Sequence, residues 1–327
     1  MKRFSLILVC ILLIFGIGCK HTENKLSSTQ VMMDTVITIT VWDSDDDTLN
    51  GAMELCRQYE QLFSRTIATS DISKLNQTKV ATVSPDTAAL LKLSLDISAK
   101  SNGAFDTTIL PLVELWDINN ASTPPSRSDV DKTIKSVDYK SIAVNGTTVN
   151  TNGARLDLGG IAKGFIADRV REYLRSNGVS RAIINLGGNV ALLGSNDGKD
   201  FTVGIQKPFG LHGESAVLLK LQNKTAVTSG IYERYFEFEG KIYHHVLDPK
   251  TGFPTDNGIQ SVTILSDSSA LADSLSTACL VLGIEEGTQL AESFNADVVF
   301  LMSDGSIITS KNLKLDQNGP TPTVTYK

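Results

Sequence analysis

Asp157-Leu-Gly-Gly-Ile-Ala-Lys-Gly164 places an acid, two adjacent glycines and a lysine directly before an amphipathic run, Phe165 to Leu174. Within that run Ile166, Val170 and Leu174 recur every four residues, the spacing of one helical face. Paired glycines at a helix entrance let backbone approach a bulky anion, and a helix N-terminus favours negative charge. The stretch is therefore a candidate phosphate loop. It is neither the spaced-glycine dinucleotide fingerprint nor a P-loop, because the Lys-Ser/Thr pair is missing.

Strand and helix patterns extend on both sides. Ser141 to Leu158 reads as paired strands turning at Asn145-Gly146, and Arg181 to Leu186 as the strand after the helix. Upstream, Val31 to Trp42 alternates like a strand, Asp43 to Asp47 is an acidic turn, and Leu49 to Phe63 reads as a helix. Ser84-Pro85 opens another helix, with serine as cap and proline at its first position, running to about Lys100. Ser122 to Ser128, with Pro124 and Pro125, reads as an exposed loop. Downstream lie strands at Phe201–Ile205, Val217–Leu221 and Thr225–Thr228, a hairpin over Tyr235–His244, and a strand at Ile259–Leu265. Helices Ser269–Leu282 and Glu285–Phe294 and terminal strands follow. Meanders of strands with separate helices predict an α+β fold.

Asp273 and Thr277 sit four apart in the Ser269 run, on one helical face. A carboxylate and a hydroxyl offer hard oxygens to magnesium, which keeps waters and phosphate as its other ligands. Spacing alone favours a structural pair: an acid near a helix start and a threonine bonded back to its own helix.

Further motifs occur in a fixed order: Met33-Asp-Thr35, Phe63 to Asn76, Gly103-Ala-Phe-Asp106, the glycine loop, Ile184-Asn-Leu-Gly-Gly-Asn189, Thr228-Ser-Gly230, His245-Val-Leu-Asp-Pro249 and Ala272-Asp-Ser-Leu-Ser-Thr277. From about Met32 to about Gly283 this set resembles the ApbE family, the FAD:protein FMN transferases. The resemblance implies a single T-fold-like domain over residues 31–327. Mixed and antiparallel sheets would carry flanking helices, with a ligand cleft between two halves.

The same resemblance implies a magnesium-dependent transfer of FMN from FAD to a threonine hydroxyl of a target protein, releasing AMP. Magnesium would sit on Asp273, Thr277 and the Gly160 carbonyl. FAD would be contacted by Met33, Ala104, Phe105, Asp106, Asp157, Lys163 and the backbone of Leu247. His245 is the candidate base, with Asp273 as the fallback. Two departures stand out: Asp34 replaces a usual glycine, and Thr66 stands where many members carry a flavin-stacking tyrosine. An FAD pyrophosphatase giving FMN and AMP, or a flavin-binding lipoprotein without catalysis, are the rival readings.

The N-terminus reads as an export signal. Lys2 and Arg3 precede an apolar stretch, Phe4 to Ile17, that is short for a membrane span and ends at Gly16-Ile-Gly-Cys19. The Gly-Cys junction resembles a lipobox. It implies a signal peptide over 1–18, a lipidated Cys19 and a polar tether to residue 30, holding the domain on the outer face of a bacterial membrane. The formal charge of −6 and few aromatics leave no basic footprint for nucleic acid and no polybasic patch for lipid. Membrane attachment would come from the anchor alone. The implied acceptors are extracytoplasmic domains of Rnf-type or sodium-pumping quinone reductase complexes. Cys56 and Cys279 lie in apolar helical patterns and read as buried free thiols.

Overall fold

The computed structural model describes residues 24–211 and 213–327. The expected signal peptide and Cys19 lie outside the described residues. No helix among the described residues is long and apolar enough to cross a membrane.

A strand occupies part of the stretch expected as a polar tether to residue 30. β1 (Lys25–Met32) pairs antiparallel with β2 (Thr35–Trp42), so the strand expected from Val31 is a hairpin instead. Its turn residues Met33 and Asp34 have φ of 53° and 56°, the left-handed pair that a two-residue hairpin loop requires. Aspartate tolerates that conformation better than most residues, so the turn closes without the glycine usual in the family. The acidic run that follows is more than a solvated turn. Asp45 caps α1 (Asp46–Phe63), and Asp46 and Asp47 complement its dipole.

Next come α2 (Asp71–Thr78), β3 (Val80–Thr82) and α3 (Pro85–Lys100), the last with Ser84 as cap as expected. Two short helices that the sequence pattern did not reveal follow, α4 (Leu110–Trp116) before the expected proline-containing loop and α5 (Arg127–Thr133) starting at its end. The expected paired strands shrink to β4 (Ala143–Asn145) and β5 (Thr148–Asn150), which join β3 in a small sheet. α6 (Ala162–Ser176) follows the glycine loop, and β6 (Ala182–Leu186) and β7 (Asn189–Leu193) follow α6. The chain continues through β8 (Phe201–Gln206), β9 (Ser215–Leu221) and β10 (Thr225–Gly230). A hairpin of β11 (Tyr235–Phe238) and β12 (Lys241–His244) leads to β13 (Ile259–Ser266). It ends with α7 (Ser269–Leu282), α8 (Ile284–Ser293), β14 (Asp297–Met302), β15 (Ile307–Thr309), β16 (Leu313–Asp316) and β17 (Thr323–Tyr326).

The spine is an eight-stranded antiparallel sheet in the order β1-β2-β6-β7-β10-β13-β14-β15. Strand alternation divides its side chains between two faces. Ile37, Ile39, Val262, Ile264, Val298 and Phe300 join the core under the helices. Leu265, Val299 and Leu301 join a second core with Val217, Leu219, Leu313 and Val324. Those residues belong to a four-stranded sheet, β16-β17-β9-β8. The layers are thus helices, large sheet, small sheet, an α+β architecture. Because β14 is covered on both faces, it reads as a nearly continuous apolar run. Cys56 and Cys279 are buried free thiols, and burial pushes the Cys56 thiol up to about 12.

Candidate functional site

α6 and α7 lie side by side on the sheet and cap each other. The backbone N–H of Gly164, in the first turn of α6, donates to Asp273 Oδ2 of α7 at 2.9 Å. In return Asp168 of α6 receives the start of α7. Its Oδ1 accepts from Ser269 N at 2.9 Å, and its Oδ2 from Ser268 Oγ at 2.9 Å and Ala270 N at 3.0 Å. Each helix thereby satisfies orphan donors of the other. The approach is close enough to require glycine: a Cβ on Gly164 would fall 2.2 Å from the Ser269 carbonyl oxygen. Asp168 falls within the amphipathic run after the glycine loop, and nothing in the spacing marks it as a cap.

Asp273 is buried, and burial pushes its carboxyl up, opposed by Lys163 and by the Gly164 N–H. Its Oδ1 accepts no hydrogen bond among the described residues. Asp273 Oδ1 is not among the sealed, partnerless atoms, so it is open to water or to a cation, and burial of the rest of the carboxyl favours a cation or proton beside it. Thr277 and the glycine loop stand beside it. A Cβ on Gly160 would lie 3.1 Å from the Phe105 ring and 3.5 Å from Thr277 Oγ1, so Phe105, Gly160 and Thr277 converge. No cluster of three His, Cys, Asp or Glu side chains suited to a metal occurs among the described residues. A cation here would take one carboxylate plus neutral oxygens, a hard and incomplete donor set. That fits magnesium, which retains waters and phosphate oxygens.

The loop itself is held from three sides. Asp157 Oδ1 accepts from Gly159 N at 2.7 Å, and its Oδ2 pairs with Arg65 Nε at 3.1 Å. Asn76 clamps the preceding residue through reciprocal bonds to Leu156 N and O at 2.6 and 3.0 Å. Arg65 and Asn76 fall inside the Phe63 to Asn76 block, but only the fold shows that they buttress the glycine loop. Both Asp157 oxygens are occupied by protein. Lys163 Nζ reaches only the Gly159 carbonyl, at 3.3 Å, and forms no ion pair among the described residues. Ile161 provides no side-chain cap to α6. Lys163 thus sets a positive charge near the Asp273 carboxyl, whose Oδ2 already caps the first turn of α6.

His245 is half-buried, and the fold separates it from its neighbour. His244 is spent on structure, with Nε2 donating to the Thr255 carbonyl at 2.8 Å and Nδ1 accepting from Val246 N at 3.3 Å. Among the described residues His245 bonds only through Nδ1, which faces the Arg234 carbonyl at 3.3 Å. A carbonyl cannot donate, so Nδ1 carries the proton and Nε2 keeps a free lone pair. Burial, then the positive charge of Arg234, with Lys163 adding to it, pulls the His245 pKa down to about 4. The imidazole is neutral near pH 7.

The remaining candidates take other places. Asp106 serves its own loop, accepting from Thr108 N and Oγ1 at 2.7 Å each and from Tyr139 N at 3.0 Å; burial raises its pKa. Ala104 is buried beside Phe105. Met33 donates its N–H to Glu60 Oε1 at 2.7 Å. Leu247 packs with Leu112, Trp116 and Val130, and its backbone bridges Pro254. Thr66 is exposed and bonded to Ser64 Oγ at 3.0 Å, so the aromatic ring at the glycine loop is that of Phe105.

The ordered motifs, the cross-capped helix pair and the glycine loop agree with the match of the ApbE family to residues 33–301. The chain belongs to the ApbE family. A FAD:protein FMN transferase of Klebsiella pneumoniae is 34% identical over 304 residues, spanning 90% of this chain and 95% of that protein. One from Treponema pallidum is 32% identical over 336 residues, spanning 94% and 93%. Among solved structures, the flavin transferase ApbE from Vibrio cholerae superposes with a TM-score of 0.79 at 26% identity, covering 88% of this chain and 97% of that one. The ApbE protein from Thermotoga maritima gives 0.79 at 29% identity with the same coverage. The T-fold-like expectation is thus met by ApbE structures over most of the described chain.

Proposed function

We propose that this ApbE-family enzyme moves FMN from FAD onto a threonine hydroxyl of an acceptor protein and releases AMP, with magnesium at the pyrophosphate. The observation that carries the reading is the bare oxygen of buried Asp273, set beside Thr277 and Gly160 and within the field of Lys163. Magnesium held by Asp273, Thr277 and the Gly160 carbonyl would offset phosphate charge as a Lewis acid. Lys163 adds a point charge that needs no deprotonation. Neutral His245 accepts the threonine proton at Nε2, which its Nδ1–H bond to the Arg234 carbonyl leaves free; such base assistance is worth about 10²–10⁴-fold. Phosphoryl transfer of this kind needs positioning and charge neutralisation more than an enzyme nucleophile.

The proposed setting rests on the N-terminal sequence. Lipidation at Cys19 would hold the domain on the extracytoplasmic face of a bacterial membrane, where domains of Rnf-type or sodium-pumping quinone reductase complexes would be the acceptors.

The test is the intact mass of a threonine-bearing acceptor domain after incubation with the enzyme, FAD and Mg2+, with and without chelator. A chelator-sensitive gain of one FMN is expected, and Asp273→Ala is expected to abolish it. AMP release without a mass gain would assign the chain as an FAD pyrophosphatase. Normal transfer by Asp273→Ala would remove the metal assignment.

A further inference from the structure

A helical threonine ordinarily turns its hydroxyl back to the carbonyl one turn earlier. For Thr277 that carbonyl belongs to Asp273, and it is already taken. Ser276 Oγ donates to the Asp273 carbonyl at 2.8 Å. No bond from Thr277 Oγ1 to that carbonyl exists among the described residues. Thr277 Oγ1 lies instead 3.3 Å from Ser229 Oγ, at the end of β10, and Ser229 Oγ lies 2.7 Å from Ser276 Oγ.

The polarity of this chain of hydroxyls follows from its terminus. A carbonyl only accepts, and a serine has one proton to donate. Ser276 gives its proton to Asp273 and so meets Ser229 with a lone pair. Ser229 donates to Ser276 and is left to accept from Thr277. The Thr277 proton therefore points at Ser229, and its lone pairs face away from the relay. Gly160 approaches that hydroxyl, its Cβ position 3.5 Å from Thr277 Oγ1. A hydroxyl binds a cation only through a lone pair.

We propose that Ser229 and Ser276 form a one-way hydroxyl relay that presents Thr277 as a lone-pair donor to the divalent cation, making Ser229 a positioning residue. The inference rests on the magnesium reading above. Ser276 then has a second role, because it occupies the carbonyl that would otherwise capture Thr277.

The relay is tested by calorimetric titration of MgCl2 into the FAD-loaded full-length chain. Ser229→Ala is expected to weaken Mg2+ binding on the order of tenfold, the lower end of what loss of an outer partner of a metal ligand costs. Ser229→Thr, which keeps the hydroxyl, is expected to bind like the parent. Transfer by Ser229→Ala should need more Mg2+ for half-maximal rate while kcat recovers at saturation. Ser276→Ala frees the Asp273 carbonyl and should shift binding the same way, which keeps the question open if Ser229→Ala does not fold. Equal Mg2+ affinity in both alanine variants and parent overturns the relay and leaves the magnesium reading intact. A rate loss at every Mg2+ concentration with unchanged affinity also overturns it, by making Ser229 merely structural. A parent chain that binds no Mg2+ overturns both.

Discussion

Asp157-Leu-Gly-Gly160 and Asn185-Leu-Gly-Gly188 spell the same pattern, a short polar residue before Leu-Gly-Gly. Each polar side chain folds onto the turn it precedes: Asp157 Oδ1 accepts from Gly159 N at 2.7 Å, Asn185 Oδ1 from Gly188 N at 3.3 Å. The glycines are there for different physical reasons. Gly187 and Gly188 join β6 to β7 with φ of 65° and 84°, the left-handed pair of a tight hairpin. Gly159 and Gly160 are absent from the left-handed region. What Gly160 supplies is room, against Phe105 and Thr277. One turn needs glycine for its backbone and the other for what must come close to it, so similar letters serve scaffold in one place and chemistry in the other.

The largest expected effect tests the scaffold turn. At Gly187 a Cβ would sit in the left-handed region and 2.1 Å from Thr35 Oγ1. The conformational cost is about 1–2 kcal/mol and the overpacking cost about 1–3 kcal/mol. Gly187→Ala should therefore lose roughly 2–5 kcal/mol in urea denaturation. An unchanged midpoint would mean that the β6–β7 turn does not govern how the hairpin of β1 and β2 seats Thr35.

Gly160→Ala sharpens the contrast from the other side. It incurs no left-handed penalty, and the Phe105 ring can yield, so stability should hold. The displaced ring and Thr277 should still lower FMN transfer on the order of 10²-fold, since small misplacements at a reacting centre cost about that much. Gly188→Ala is the matched control, with φ of 84° and its nearest neighbour, the Thr228 carbonyl oxygen, 3.8 Å from a Cβ. It should lose about 1–2 kcal/mol of stability and keep transfer per folded molecule. If Gly160→Ala and Gly188→Ala behaved alike, the division between the two turns would fail.

The same division explains what was legible in the sequence. Local rules sufficed wherever a segment carried its own signal: Ser84-Pro85 starting α3, the four-residue recurrence of α6, and the strand expected at Ile259–Leu265. They failed where tertiary partners decide. Met33-Asp34 carries no strong turn signal, so β1 and β2 merged into one expected strand with a longer tether before it. α4 and α5 are seven residues each, too short for a periodic pattern, and Trp116 is fixed by a bond to the distant Gly252 carbonyl at 2.7 Å. In the site, Asp273, Thr277, Gly160 and Phe105 were visible through ordered motifs. Ser229 was visible within the Thr228-Ser-Gly230 motif, but its bonds to Ser276 and Thr277 were not; Asp168, Arg65 and Asn76 were not visible as site-builders, because each acts on a residue far away in the chain. A helix-face acid looks ordinary until the partner helix is in place.

The smallest expected effect concerns charge, and it too separates the turns. His245 owes its lowered pKa first to burial, then to Arg234, with Lys163 of the first turn a minor contributor. A positive neighbour disfavours protonation, so Lys163→Gln should raise the His245 pKa from about 4 by a fraction of a unit, without restoring the ordinary histidine value. Because the folded value lies below the unfolded one, the unfolded chain takes up the proton first as pH falls. His245 therefore costs stability progressively from the ordinary histidine range down to about 4, and not above it. NMR titration of the His245 imidazole in parent and Lys163→Gln reads both values directly. Asn185→Ala, in the second turn, carries away no charge and should leave the His245 titration where it was. A parent value near the ordinary 6.5 would remove the neutral base from pH 6 chemistry. Transfer would then have to fall off as the medium drops through that pH, a limb that the rate profile would expose.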